Sequence, residues 1–167
     1  FAFVNTNTAT GAALLGWLLV EKLRDGHATT LGAASGAVAG LVAITPACGF
    51  VSPMGSIAIG FIAGVVCALA VGLKNKFQFD DALDVVAVHL IGGILGALSI
   101  GFFATKMTNG AGANGIFYGG DWNLLSHQAI AIGAVVAYSF FATLIIGKII
   151  DKSIGLRVNE ESEYVGL

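Results

Sequence analysis

Long runs without a formal charge, separated by short charged clusters, organise this chain. Between Asp25 and Lys74 no Asp, Glu, Lys or Arg occurs. A helix needs about 20 mainly apolar residues to cross the hydrocarbon of a bilayer, so the clusters act as punctuation. They delimit five spans, at about 1–20, 31–50, 54–73, 83–104 and 126–150. The first ends in Glu21, Lys22, Arg24 and Asp25, the fourth follows Asp80, Asp81 and Asp84, and the fifth ends with Lys148, Asp151 and Lys152. Pro46, Gly49, Pro53 and Gly55 mark a short apolar turn between the second and third spans, because each disfavours a continuing helix. The pattern predicts an all-α, polytopic membrane helix bundle of about five transmembrane helices over residues 1–152, then a tail over 153–167.

Composition agrees with that pattern. Of 167 residues, 56% are hydrophobic and 11% charged, and the mean hydropathy is +0.87. A soluble domain carries about one-quarter charged residues, and so few cannot solvate a globule of this size. A net charge of -2 without a basic cluster excludes nucleic acid as a partner, since that binding runs on Lys and Arg against phosphates. The chain opens with Phe1 and shows no secretory signal, which suggests a piece of a longer protein. Cys48 and Cys67 sit in apolar stretches and offer neither a disulfide framework nor metal-ligand spacing.

Lys and Arg set the expected orientation, because positively charged segments stay in the cytoplasm. Lys22, Arg24, Lys74, Lys76, Lys148, Lys152 and Arg157 fall on one side of a five-span arrangement and only Lys106 on the other. The C-terminus is therefore expected in the cytoplasm, in a cell (inner) membrane. The loop from Lys106 to Asn123 then lies outside, with Phe117, Tyr118 and Trp122 available as interfacial aromatics.

Small residues recur every four positions at Gly32, Gly36 and Gly40, at Ser56, Gly60, Gly64, Ala68 and Gly72, and at Gly92 and Gly96. Inside a bilayer, helices gain by close backbone approach, so these stripes predict helix contacts and not a phosphate-binding loop.

His89 is the only ionisable side chain in the interior of any expected span. Two readings of it stand. Ionisable groups embedded in membranes mark pathways or proton relays, and low dielectric favours a neutral imidazole with one donor and one acceptor nitrogen. Alternatively, it bonds a neighbouring helix for packing alone. Helical spacing groups His89 with Val85, Gly92 and Gly96 on a face that suits a narrow apolar lumen or, equally, a helix contact. Asp84 is expected to cap the start of the fourth span, and Asp80 and Asp81 to form a solvated loop. His27 and His127 flank spans at the interface, and no residue order suggests a hydrolase or metal site, so no enzyme and no cofactor is expected.

The segment Asp84-Val85-Val86-Ala87-Val88-His89, followed by Gly92, Gly93 and Gly96, resembles the second histidine helix of the ammonium transporter family (Amt/Mep/Rh). In the same order, Phe3-Val4-Asn5-Thr6, the run Leu31 to Gly40, Thr45-Pro46-Ala47-Cys48-Gly49 and Gly155-Leu156-Arg157-Val158 resemble that family too. The combination covers nearly the whole chain. Members have eleven spans, the first ten forming two inverted repeats of five, and assemble as homotrimers with a pore in each subunit. The resemblance implies that this chain is the C-terminal half of that inverted-repeat fold, that ammonium or ammonia is its substrate, and that His89 and Val85 line the pore with Asp84 beside it. It further implies that the tail, through Gly155, Leu156, Arg157 and Val158, meets a PII-type signalling protein, and that an N-terminal half and membrane lipid complete the assembly. A membrane-embedded sensor or PII-docking module without transport is the alternative reading.

Overall fold

A computed structural model describes residues 1–158 and 160–166. Two compact units divide the chain, Phe1–Ala129 and Ile130–Leu167. The first holds α1 (Ala2–Asp25), α2 (Thr30–Ile44), α3 (Pro53–Ala70), the short α4 (Leu73–Phe77), a π-turn (Val86–Ile91) that runs into α5 (Gly92–Phe103), and a 3-10 turn (Ile116–Tyr118). The opening of α6 (Trp122–Ser153) also falls there, while the rest of α6 and α7 (Glu160–Val165) make up the second. The all-α class holds, the only paired backbone among the described residues being an isolated bridge between Val51 and Ala104.

Three helical stretches, Pro53–Phe77, Val86–Phe103 and Trp122–Ser153, are long and apolar enough to cross a membrane. α2 is apolar but has 15 residues and ends at Ile44, not at the expected residue 50, since Pro46 carries no amide hydrogen to continue the helical hydrogen bonds. α1 continues past Glu21, Lys22 and Arg24 to Asp25, and Gly26 in the left-handed region ends it. Charge marks where a helix meets water; it does not stop the helix.

α1 is the hub of the first unit. Its buried positions, Asn5, Ala9, Ala13, Gly16, Trp17 and Val20, follow helical spacing and carry mostly small side chains. A side chain at Gly60 or Gly64 of α3 would run into the carbonyl oxygens of Ala9 and Ala13. One at Gly36 or Gly40 of α2 would meet the Cβ atoms of Trp17 and Ala13. The stripes are thus helix contacts, two helices lying against one backbone. Polar groups fasten the same surfaces. Thr8 Oγ1 and Ser56 Oγ share a hydrogen bond of 2.6 Å between α1 and α3.

The turn between α2 and α3 is held by a side chain from α1. Fully buried Asn5 donates through Nδ2 to the carbonyls of Cys48 (2.8 Å) and Val51 (2.7 Å). Backbone acceptors that neither helix uses are thereby satisfied where no lipid could do so. Ser52 then caps α3 by accepting from the Gly55 amide at 3.2 Å, with Pro53 in the first turn where no amide hydrogen is needed. At the other end of α1, Glu21 accepts from the Thr29 amide (2.8 Å) and from Trp17 Nε1 (3.3 Å), which closes the connection to α2.

In the second unit, α6 displays apolar side chains such as Ile130, Tyr138, Phe140 and Ile149, all exposed. Gly155, with φ of 82°, ends it by donating its amide to the Ile150 carbonyl at 3.2 Å.

Because the α1–α3 contact has no room for a methyl group, Gly64→Ala is expected to destabilise the full-length protein by about 1–3 kcal/mol. The measurement is the midpoint of thermal unfolding in detergent. A midpoint equal to the parent's would mean that α1 and α3 separate there without penalty.

Candidate functional site

Asp81 begins the segment that carries His89. Its carboxylate accepts from the amides of Val85 (2.8 Å) and Val86 (2.9 Å), two donors that the first helical turn leaves without partners. The cap is therefore Asp81, not Asp84, and Asp81 is no solvated loop residue. Asp84 has a different geometry. Its φ of 55° lies in the left-handed region, unusual without glycine, and while its carbonyl accepts from the Val88 amide at 2.8 Å, its side chain does not cap the helix. Its Oδ1 instead lies 2.7 Å from Lys74 Nζ, with the two side chains about one-quarter exposed, at 25% and 26%. The same ammonium donates to the Asp81 carbonyl at 3.1 Å.

From there the backbone enters the π-turn Val86–Ile91. Such turns insert one extra residue into a helix and occur often at functional positions. Ala87 and Val88 face inward, each 3% exposed, whereas His89 and Val85 are both exposed on the outer side of the unit. The expected grouping of His89 with Gly92 and Gly96 does not hold. Gly92 lies against Cys67 of α3 and Val42 of α2, and a side chain at Gly96 would strike the Ala43 carbonyl. Those two glycines bury one face of α5; beside His89 runs Gly93 instead, with open space where its Cβ would be. Gly92 and Gly96, three and seven residues after His89, are taken up by the contacts with α2 and α3, whereas Gly93, four residues after it, is not.

At the far end of α5 the outer loops join into one layer. The Thr105 amide donates to the Phe50 carbonyl (2.8 Å) and the Gly115 amide to that of Ala104 (2.8 Å). The Phe117 ring packs at 5.7 Å from Phe102 and 5.1 Å from Phe103 while staying largely exposed. A recess of about 510 Å³ opens here, lined by residues including Lys106, Asn114, Asp121, Asn123 and His127. It is remote from His89, since 18 helical residues of about 1.5 Å rise separate the two ends. His27 is exposed beside the end of α1, its Nδ1 3.0 Å from the Asp25 carbonyl. Among the described residues no three His, Cys, Asp or Glu side chains gather as metal ligands could.

Gly155, Leu156, Arg157 and Val158 lie in the second unit, after α6, and are exposed. Gly155 has a structural reason for its identity, the left-handed turn that stops α6. Composition and spacing singled out neither Asn5 nor Lys74. Asn5 stood inside a motif, but only folding shows that it serves two carbonyls of a turn more than forty residues away. Lys74 read as a charge at a membrane edge, and its partner is set by the turn at Asp84.

The comparisons with known proteins agree with one another. The model of a family described as Ammonium Transporter Family matches residues 1–167. An ammonium transporter of Mycobacterium tuberculosis (strain ATCC 25618 / H37Rv) is 54% identical over 170 residues, 99% of this chain and 36% of its own. One from Bacillus subtilis (strain 168) is 51% identical over 168 residues, 100% of this chain and 41% of its own. Among solved structures, Candida albicans Mep2 superposes with a TM-score of 0.87 at 37% identity, over 97% of this chain and 37% of that one. The chain thus spans roughly two-fifths of the length of the relatives it matches.

Removing the cap tests its role in holding the site. Asp81→Ala is expected to cost about 0.5–2 kcal/mol of local stability. Amide hydrogen exchange should speed up at Val85 and Val86, with little change in the second half of α5. If those two amides keep their protection, another group caps the helix.

Proposed function

The chain belongs to the ammonium transporter family, and from that membership we propose that it forms the C-terminal part of a transporter that passes ammonium across a membrane as ammonia. The observation that carries this reading is His89, an imidazole on an apolar helix that is exposed one turn after exposed Val85. An N-terminal repeat of the same polypeptide would supply the facing wall and close an apolar passage around the ring. Residues 1–152 would lie in a cell membrane and residues 153–167 in the cytoplasm, in keeping with the distribution of Lys and Arg.

The choice of side chains has a physical reason. Ammonium and potassium ions are nearly alike in size, so a filter of fixed radius and charge separates them poorly. Only ammonium can release a proton and continue as a neutral molecule. Val85 and the apolar wall refuse a hydrated ion, because removing its water without replacement ligands costs many kcal/mol. An imidazole such as His89 can offer ammonia a donor on one nitrogen and an acceptor on the other. With a second imidazole from the facing repeat it would form a polar track, and that track also gives the released proton a route.

We assign the homotrimer and the PII-type partner to the same reading. The exposed segment Gly155-Leu156-Arg157-Val158, at the end where seven of eight Lys and Arg residues are expected, is accessible to such a partner.

Proteoliposomes carrying the full-length protein test transport directly. Under an ammonium gradient, His89→Ala is expected to lower ammonium flux on the order of tenfold or more, with equal protein incorporated. Flux equal to the parent's would remove His89 from the mechanism. A parent that moves no ammonium would favour the sensing or docking role.

A further inference from the structure

The π-turn puts the orientation of His89 at risk. One residue corresponds to about 100° of rotation in an α-helix, so where the extra residue sits decides which side chain faces outward. Gly92 and Gly96 hold α5 against Cys67 and Ala43, which fixes the helix beyond the turn. If the extra residue migrates or is lost, everything before it must rotate against that fixed part. Val88, now 3% exposed, and His89, now exposed, would exchange surroundings. Something must therefore hold the near end as firmly.

We propose that Lys74 is a positioning residue for His89, its ammonium clamping Asp84 and Asp81 so that the π-turn keeps the imidazole on the open face. The proposal deepens the transport reading, since the orientation matters to function only if His89 lines the passage. Three observations carry it. Asp84 holds a left-handed backbone at φ of 55°, which is unfavourable for a residue with a side chain and persists only where its surroundings enforce it. Asp84 Oδ1 is buried and has no hydrogen-bond partner in good alignment, leaving Lys74 Nζ at 2.7 Å as the charge that compensates it. The same nitrogen reaches the carbonyl of Asp81 at 3.1 Å, and Asp81 holds the amides of Val85 and Val86. One cation thus ties both ends of the Asp81–Asp84 bend.

The location of Lys74 makes the clamp a reference point. It lies in α4, directly after α3, whose Gly60 and Gly64 are locked on the backbone of α1. The far side of the π-turn is referred to α2 and α3 through Gly96 and Gly92. The turn is therefore stretched between two anchors in one bundle, and the rotation of His89 is set by both. Lys74→Met removes the cation while keeping the stem. Asp84→Asn keeps a residue that tolerates the left-handed region but removes the charge.

The test reads register by chemistry, independently of transport. In the full-length protein, with Cys48 and Cys67 replaced by alanine, His89→Cys and Val88→Cys are prepared singly and treated in detergent with a small methanethiosulfonate reagent. Thiol reactivity follows exposure, so His89→Cys is expected to react roughly tenfold faster than Val88→Cys. Adding Lys74→Met or Asp84→Asn is expected to narrow that ratio to about threefold or less, and Lys74→Arg to keep it near the starting value. In proteoliposomes with His89 intact, the first two changes should lower ammonium flux by about tenfold while Lys74→Arg stays within about twofold. A ratio that Lys74→Met and Asp84→Asn leave unchanged overturns the proposal, even if flux falls. If either variant fails to fold, the other decides. A ratio that narrows in a protein whose parent moves no ammonium supports the clamp and sinks the transport reading, so the two failures are distinct.

Discussion

Close approach of helix backbones is the constraint on which the rest of the first unit depends. In lipid, apolar side chains gain nothing by leaving hydrocarbon for one another, so the helices are held by dispersion at short range and by a few buried hydrogen bonds. Ala9 and Ala13 of α1 receive Gly60 and Gly64 on one side and Gly40 on the other. α2, in turn, presents Ala43 to Gly96 of α5. The chain of contacts runs from α1 through α2 to α5, with a glycine on one side of each of these crossings. Its consequence for function is indirect. By burying the glycine face of α5, it leaves His89 on the other.

The helices, their order and the small-residue contacts were legible because each follows from a local property, either an apolar run or residue size at helical spacing. Helix ends were less legible. α1 overran its expected end at residue 20 because Lys and Arg are good helix formers, and a charge at the water boundary is as comfortable in a helix as outside one. α2 stopped short because Pro46 has no amide hydrogen with which to continue the helical ladder. The site itself was half legible. His89 stood out by being ionisable in an apolar run, and Val85 by lying one turn before it. The cap was misplaced by three residues, since Asp81 and Asp84 are equivalent in composition and only the left-handed turn at Asp84 separates their roles. Regular spacing offered Gly92, Gly93 and Gly96 alike as neighbours of His89, and only the packed positions of Gly92 and Gly96 against α2 and α3 separate them from Gly93.

Several polar side chains in this fold serve the ends of helices. Asn5 serves the turn after α2, Ser52 the start of α3, Glu21 the connection before α2, and Asp81 the start of the π-turn. Each supplies hydrogen bonds where the backbone runs out of its own. His89 differs from these, an exposed imidazole about one turn inside a helix that already satisfies its backbone. With nothing in the local structure to explain it, a role toward a solute is the more economical account.

That account also explains why the two sides of the same helix are built so differently. On the inner side, contacts such as Gly96 on Ala43 leave no room for even a methyl group, so the helix cannot rock. On the outer side, Gly93 has open space and Val85 is 49% exposed, which in a complete transporter leaves width for something small beside the imidazole. A passage selective for a molecule of ammonia's size needs both properties together. The donor and acceptor nitrogens of His89 must sit within hydrogen-bond reach of the solute, and misplacement by about 1 Å in such a site can cost a hundredfold in rate. A rigid glycine face fixes the ring's distance from the facing wall. In the proposed clamp, the Lys74, Asp84 and Asp81 cluster would set the angle at which the ring faces such a passage. Distance and angle are thus held by separate parts of the sequence, and a change in either would alter selectivity before it altered the fold.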